Sequence, residues 1–151
     1  MKKFAFKLNQ LLKIRKNRRD LCRQLLAEVL QRDAELVRMR QEVSSERFNQ
    51  LEELRRMGSG GRMNVDASVT RRSYAGQLVR DIGLIERNRS VVAQQIIACR
   101  HGLVLADQAV KALEKLEEKQ RQEFIFEQER RTSLELEEVW RALHAGDAKT
   151  C

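Results

Sequence analysis

The sequence predicts an all-α fold, a long antiparallel two-helix coiled-coil hairpin in which the second helix overhangs the first. Three observations predict it. One is a tract of residues, Leu78, Ile82, Ile85, Arg89, Val92, Ile96, Cys99, Leu103, Ala106, Val110 and Leu113, that advances in strictly alternating steps of four and three. This is the seam of a coiled coil, with Arg89 its one charged member. Another is a noisier tract at the same spacing, Leu8, Leu12, Arg15, Arg19, Cys22, Leu26, Val29, Asp33, Leu36, Arg40 and Val43. The last is a symmetry. Paired in reverse order, Leu8 with Leu113, Cys22 with Cys99 and Val43 with Leu78, the tracts are reflected about the cluster Gly58-Ser59-Gly60-Gly61.

The elements follow in order. The first helix is expected over about residues 8–57, with Gly58 as its stop. A polar loop over about 58–67 follows, with Asp66 as the N-cap of the second helix. That helix is expected over about 68–145, where Gly146 and the polar tail end it. No proline occurs anywhere, so the strongest helix breaker is missing. At about 1.5 Å per residue the helices would span roughly 75 and 120 Å, and the chain 1–151 reads as a single coiled-coil domain. Because Leu8 is set against Leu113, residues from about Leu116 onward lack a partner on the first helix. This overhang still carries Phe124, Phe126, Leu136, Val139, Trp140 and Leu143, apolar groups that call for a cover. The alternative is a frayed, charged tail.

Within the two tracts the charged interruptions are informative. Arg15, Arg19 and Arg40 are set against Ala106, Leu103 and Ile82, where their stems can cover the seam while their heads reach water. Asp33 is too short to do this, and the reflection sets it against Arg89. An Asp33–Arg89 salt bridge is therefore expected, fixing the register.

Composition narrows the class. Aromatic residues make up 5% and charged residues 34%, too little apolar bulk for a thick core, so a narrow seam, marginal stability and ordering on partners are expected. The longest apolar runs, such as Leu103-Val104-Leu105-Ala106, fall far short of the roughly 20 residues that span a bilayer. Lys7, Asn9 and Gln10 interrupt what would be the apolar core of a signal peptide. Three cysteines without metal-ligand spacing, Cys22, Cys99 and Cys151, fit reduced thiols. A cytoplasmic location is expected.

No catalytic constellation is visible. His101 and His144 are far apart and outside any ligand motif, and the glycine cluster lacks the Lys-Ser or Lys-Thr ending of a phosphate loop. Neither an enzyme nor a bound cofactor or metal is expected. The net charge of +8 is uneven: residues 1–19 hold Lys2, Lys3, Lys7, Lys13, Arg15, Lys16, Arg18 and Arg19 and no acid, whereas residues 107–147 are predominantly acidic. Such a basic start suits nucleic acid, anionic lipid or an acidic protein surface. Few aromatics are placed to stack on bases and the acidic stretch repels phosphate, which favours the acidic protein surface over the others. A solvated face is the bland alternative. Gly76 and Gly83 share a stripe outside the seam beside Leu84, each costing about 1 kcal/mol against alanine unless another backbone approaches closely.

The opening Phe4-x-Phe6-x-Leu8-x-x-Leu11-Leu12-x-x-Arg15 resembles the start of the flagellar export protein family FliJ, whose order of basic start, long helix, polar turn and longer second helix is similar to nearly the whole chain. The resemblance implies a non-enzymatic, cytoplasmic component of the flagellar type III protein export apparatus. It would sit peripherally at the cytoplasmic face of the inner membrane and serve flagellum biogenesis, motility and chemotaxis. It further implies a stalk, similar to the gamma stalk of rotary ATPases, that binds the hexameric export ATPase, the cytoplasmic part of the export gate and export chaperones, without nucleic acid. Carried onto this sequence, the ATPase-binding residues are Phe4, Phe6, Leu8, Leu11, Leu12, Arg15, Lys16, Arg18 and Arg19. The gate-binding residues are Tyr74, Leu78, Ile82, Leu84 and Ile85. The competing readings are a basic coiled coil that binds nucleic acid and a structural coiled coil that self-associates.

Overall fold

The computed structural model describes residues 3–145, so Lys2, Gly146, the polar tail and Cys151 lie outside the described residues. Two helices follow one another, α1 (Asn9–Ser59) and α2 (Val65–His144), of 51 and 80 residues. The fold is the expected all-α helical hairpin, with no strand among the described residues.

The reversal is tighter than the sequence suggests. α1 runs through Gly58 to Ser59, whose hydroxyl donates to the Arg56 carbonyl at 2.9 Å. The chain turns at Gly61, with a φ of 72°, in the left-handed region that a side chain disfavours. The cap of α2 is Asn64 rather than Asp66: the Asn64 Oδ1 accepts from the Ala67 N–H at 3.3 Å. Asn64 thereby satisfies one of the helix-start N–H groups, while Asp66 adds a favourable negative charge in the first turn. Buried Ser68 donates its hydroxyl to the Asn64 carbonyl at 3.0 Å, so the cap leaves no orphan group inside.

Contacts divide the chain into two units, one made of Met1–Arg19 with Leu105–Cys151 and one made of Asp20–Val104. In the latter, the α2 side of the seam is as the four-three spacing predicts: Leu78, Ile85 and Val92 are buried, with Ala75 one step earlier. Arg89 Nε donates to Asp33 Oδ1 at 3.1 Å, the cross-helix pair the reflection predicts. Gln50 and Arg71 meet at 3.0 Å nearer the turn. The Arg40 head reaches water as expected, its side chain 45% exposed, and there it pairs with Glu86 at 2.9 Å, a carboxylate one turn along α2 from Ile82. Cys22 and Cys99 are free, half-buried thiols.

The Asp33 and Arg89 side chains are 28% and 38% exposed, so the pair is wet. Removing one side should therefore cost about 1 kcal/mol or less, far from the penalty of a dry charge. In a double-mutant cycle of Asp33→Ala and Arg89→Ala by thermal melting, a coupling of about 0.5 kcal/mol is expected at low salt, shrinking as salt rises. Additivity within about 0.3 kcal/mol at low salt would reject the pair as a register lock.

The other unit is built on Phe6, Leu12 and Val110, with Phe4 and Leu113 packed against them. Two expectations are corrected here. Leu8 is 38% exposed rather than buried in the seam, and Leu113 packs against the cluster of Phe6, Leu12 and Val110. The cause is a turn just before α1, where the Asn9 N–H donates to the Phe6 carbonyl at 3.2 Å and residues ahead of the helix fold onto α2. Phe124, expected to have no cover within the chain, is half-buried against Phe4, with ring centroids 5.8 Å apart. The Arg121 guanidinium lies 5.8 Å from the Phe4 ring centre, within reach of a cation–π contact. Lys16 and Glu114 close the side of this unit at 3.0 Å.

Candidate partner-binding surfaces

The basic start separates into a buried half and a readable half. Of the residues assigned to ATPase binding, Phe6 and Leu12 are buried, and Phe4, Arg15, Lys16 and Arg19 are half-buried. Leu8, Leu11 and Arg18 face outward, and Lys3, Lys7 and Lys13 are exposed beside them. Ile14, 62% exposed, belongs to this surface and was missed by motif reasoning. Its signal was available, since three residues beyond Leu11 is one helical turn and off the seam. Leu8, Leu11 and Ile14 thus form an apolar strip bordered by cations. That composition fits a protein surface having an apolar groove and carboxylates at its rim.

Along the α2 overhang in the same unit, Phe126, Leu136, Val139, Trp140 and Leu143 are between 57% and 70% exposed. Apart from Phe124, the described part of the chain does not cover the overhang aromatics, as the sequence suggests. Trp140 stacks on His144 at 4.3 Å, and the His144 ring nitrogen Nδ1 lies 2.9 Å from the Trp140 carbonyl at the end of the helix. Neighbouring charges are paired along the helix, as in Glu117–Arg121, Glu127–Arg131 and Glu137–Arg141.

The five gate-assigned residues do not converge. Leu78 and Ile85 are buried in the seam, Ile82 is half-buried, and only Tyr74 and Leu84 stand out from the helix at 41% and 56% exposure. Nearby, Arg32 and Leu36 of α1 and Asn88, Val91, Val92 and Gln95 of α2 line a shallow groove of about 260 Å³. No group of His, Cys, Asp or Glu among the described residues is arranged to hold a metal. No helix among them is long and apolar enough to cross a membrane.

The model of the flagellar FliJ protein family matches residues 4–148. The chain belongs to the FliJ family. The resemblance carried by Phe4, Phe6, Leu8, Leu11, Leu12 and Arg15 therefore extends over both helices of this FliJ-family hairpin. Among solved structures, a YscO homolog from Chlamydia trachomatis shares the fold, at a TM-score of 0.55 and 21% identity, covering 99% of this chain and 100% of that one. No curated protein gives a significant match. Membership of the FliJ family makes this chain a component of flagellar-type protein export.

Proposed function

We propose that this FliJ-family chain is a non-enzymatic stalk that binds the export ATPase hexamer through the basic start and α2 overhang, and the cytoplasmic part of the export gate through α2 beyond the turn. Export chaperones are further partners, and the chain works peripherally at the cytoplasmic face of the inner membrane. The observation that carries this reading is the state of the basic start. Its aromatic residues Phe4 and Phe6 are committed to packing on α2, whereas Leu8, Leu11, Ile14 and the lysines beside them are left outward. Such a surface is preorganised for a protein and has no free ring on which to stack a base. Its role is mechanical coupling, consistent with long helices and a thin seam in place of a catalytic pocket.

The test is a binding measurement with the full chain against the purified ATPase and, separately, the cytoplasmic part of the gate. Saturable binding to both at physiological salt is expected. Binding to DNA with a steep salt dependence and to neither protein would replace this reading with the nucleic-acid one. A tight self-associated dimer that ignores both would replace it with the structural one.

A further inference from the structure

We infer that the outer face of α2 between Arg72 and Arg87 is a docking track for an acidic protein segment. At about 100° per residue, Arg72, Gly76, Arg80, Gly83 and Arg87 fall within an arc of roughly 80°, about opposite the buried seam residues Leu78, Ile85 and Val92. The three arginines are exposed, and no carboxylate engages them among the described residues. The α2 carboxylates nearby are turned aside or taken: Asp81 is half-buried and off the arc, and Glu86 holds Arg40 at 2.9 Å. No basic residue between Lys16 and Lys111 is a lysine, so every cation of this unit is a planar guanidinium, the group suited to two-point contact with a carboxylate.

The glycines supply the second half of the argument. A Cβ built on Gly76 or Gly83 would meet nothing within 4 Å, so neither glycine serves packing inside this chain. Each sits between two arginines of the arc and costs helix stability. Together they leave a bare backbone channel flanked by guanidinium groups over roughly 22 Å of helix. A second backbone can lie in that channel with its carboxylates reaching the arginines on either side. Charge complementarity selects an acidic segment as the occupant, and the bare channel selects a polypeptide over a flat lipid surface. The inference rests on the proposed gate role of this part of α2 and replaces the buried Leu78 and Ile85 with residues a partner can reach.

The experiment uses the full chain with two probes, the cytoplasmic part of the gate and a glutamate-rich helical peptide of about 20 residues. The triple variant Arg72→Gln, Arg80→Gln, Arg87→Gln should weaken both by about tenfold or more and flatten their salt dependence. A control removing as much charge elsewhere, Arg38→Gln, Arg47→Gln, Arg100→Gln, all exposed and outside the groove, should change binding less than about threefold. Gly76→Leu with Gly83→Leu keeps every charge, adds side chains at positions where a Cβ meets nothing within 4 Å, and should weaken binding as much as the triple variant. Far-ultraviolet circular dichroism confirms that each variant remains helical. Wild-type affinity in both the arginine and the glycine variants overturns the track. If the wild-type chain ignores the gate, the gate reading fails and the peptide decides alone: peptide binding lost with the three arginines supports the track, and its insensitivity to them overturns it. Binding of anionic vesicles or DNA through the same arginines, without peptide binding, overturns the assignment to an acidic protein.

Discussion

Changing Leu11, Ile14 and Arg18 together to glutamate is expected to weaken capture of the export ATPase by roughly 100-fold or more, while leaving gate binding and helix content as they were. Leu11 and Arg18 are exposed and Ile14 is 62% exposed, so the substitutions disturb no core and introduce charge where a carboxylate-rimmed partner would repel it. A hot-spot apolar residue contributes about 2 kcal/mol or more at an interface, and about 1.4 kcal/mol is a factor of ten. Two such residues plus a reversed charge account for the size of the effect. Deleting residues 1–19 should abolish capture as well, but that change also uncovers Val110, Leu113 and Phe124 and so reports a mixture. Trp140→Ala should have a smaller effect than either. The ATPase is titrated with each variant at fixed salt, and undiminished affinity in the triple glutamate variant would remove the basic start from the interface.

Leu12→Ala is expected to cost about 3 kcal/mol, against less than about 0.5 kcal/mol for its neighbour Leu11→Ala. The two residues have the same chemistry and adjacent positions, and differ in exposure, 4% against 38%. Leu12 packs in one small cluster with Phe6 and Val110, so no second layer stands by to fill the void. Urea melting followed by circular dichroism measures the difference, and amide exchange should show protection falling first in residues 9–19 and 105–124. Equal costs for the two leucines would show that the cluster does not hold this unit together.

How much of this was legible beforehand depends on which physical constraint was periodic. The α2 seam was readable because a coiled coil demands apolar groups at fixed steps, and Leu78, Ile85, Val92, Ala106 and Val110 are buried accordingly. Asp33–Arg89 was readable because a short acid in a seam has one way to be satisfied. Periodicity is silent where the backbone is not helical, and for that reason the return of Phe4 and Phe6 onto α2 was missed along with the cover it gives Phe124. The cap at Asn64 was missed because Asp66 is an equally good cap by residue type, and only the backbone path decides between them. Of the ATPase-binding candidates, burial separates Phe6 and Leu12, which build the unit, from Leu8, Leu11 and Arg18, which can be read from outside. The same division runs through the gate candidates, between Leu78 and Ile85 on one side and Tyr74 and Leu84 on the other. A motif names residues without saying whether they are spent on the fold or offered to a partner.

The absence of lysine between Lys16 and Lys111 also makes the chain chemically two-toned. Reagents and proteases that address primary amines read Met1–Arg19 and Leu105–Cys151 and are blind to Asp20–Val104. A lysine-specific protease leaves the entire reversal, with both of its flanking helical stretches, as one uncut piece. Acetylation or ubiquitin-like tagging of lysine, wherever the chain meets such enzymes, is confined to the unit holding the basic start. Any control exerted through amine chemistry would then act on that unit, on its basic start and on the lysines of α2 such as Lys111, Lys115 and Lys119, leaving the arginine track as it was made.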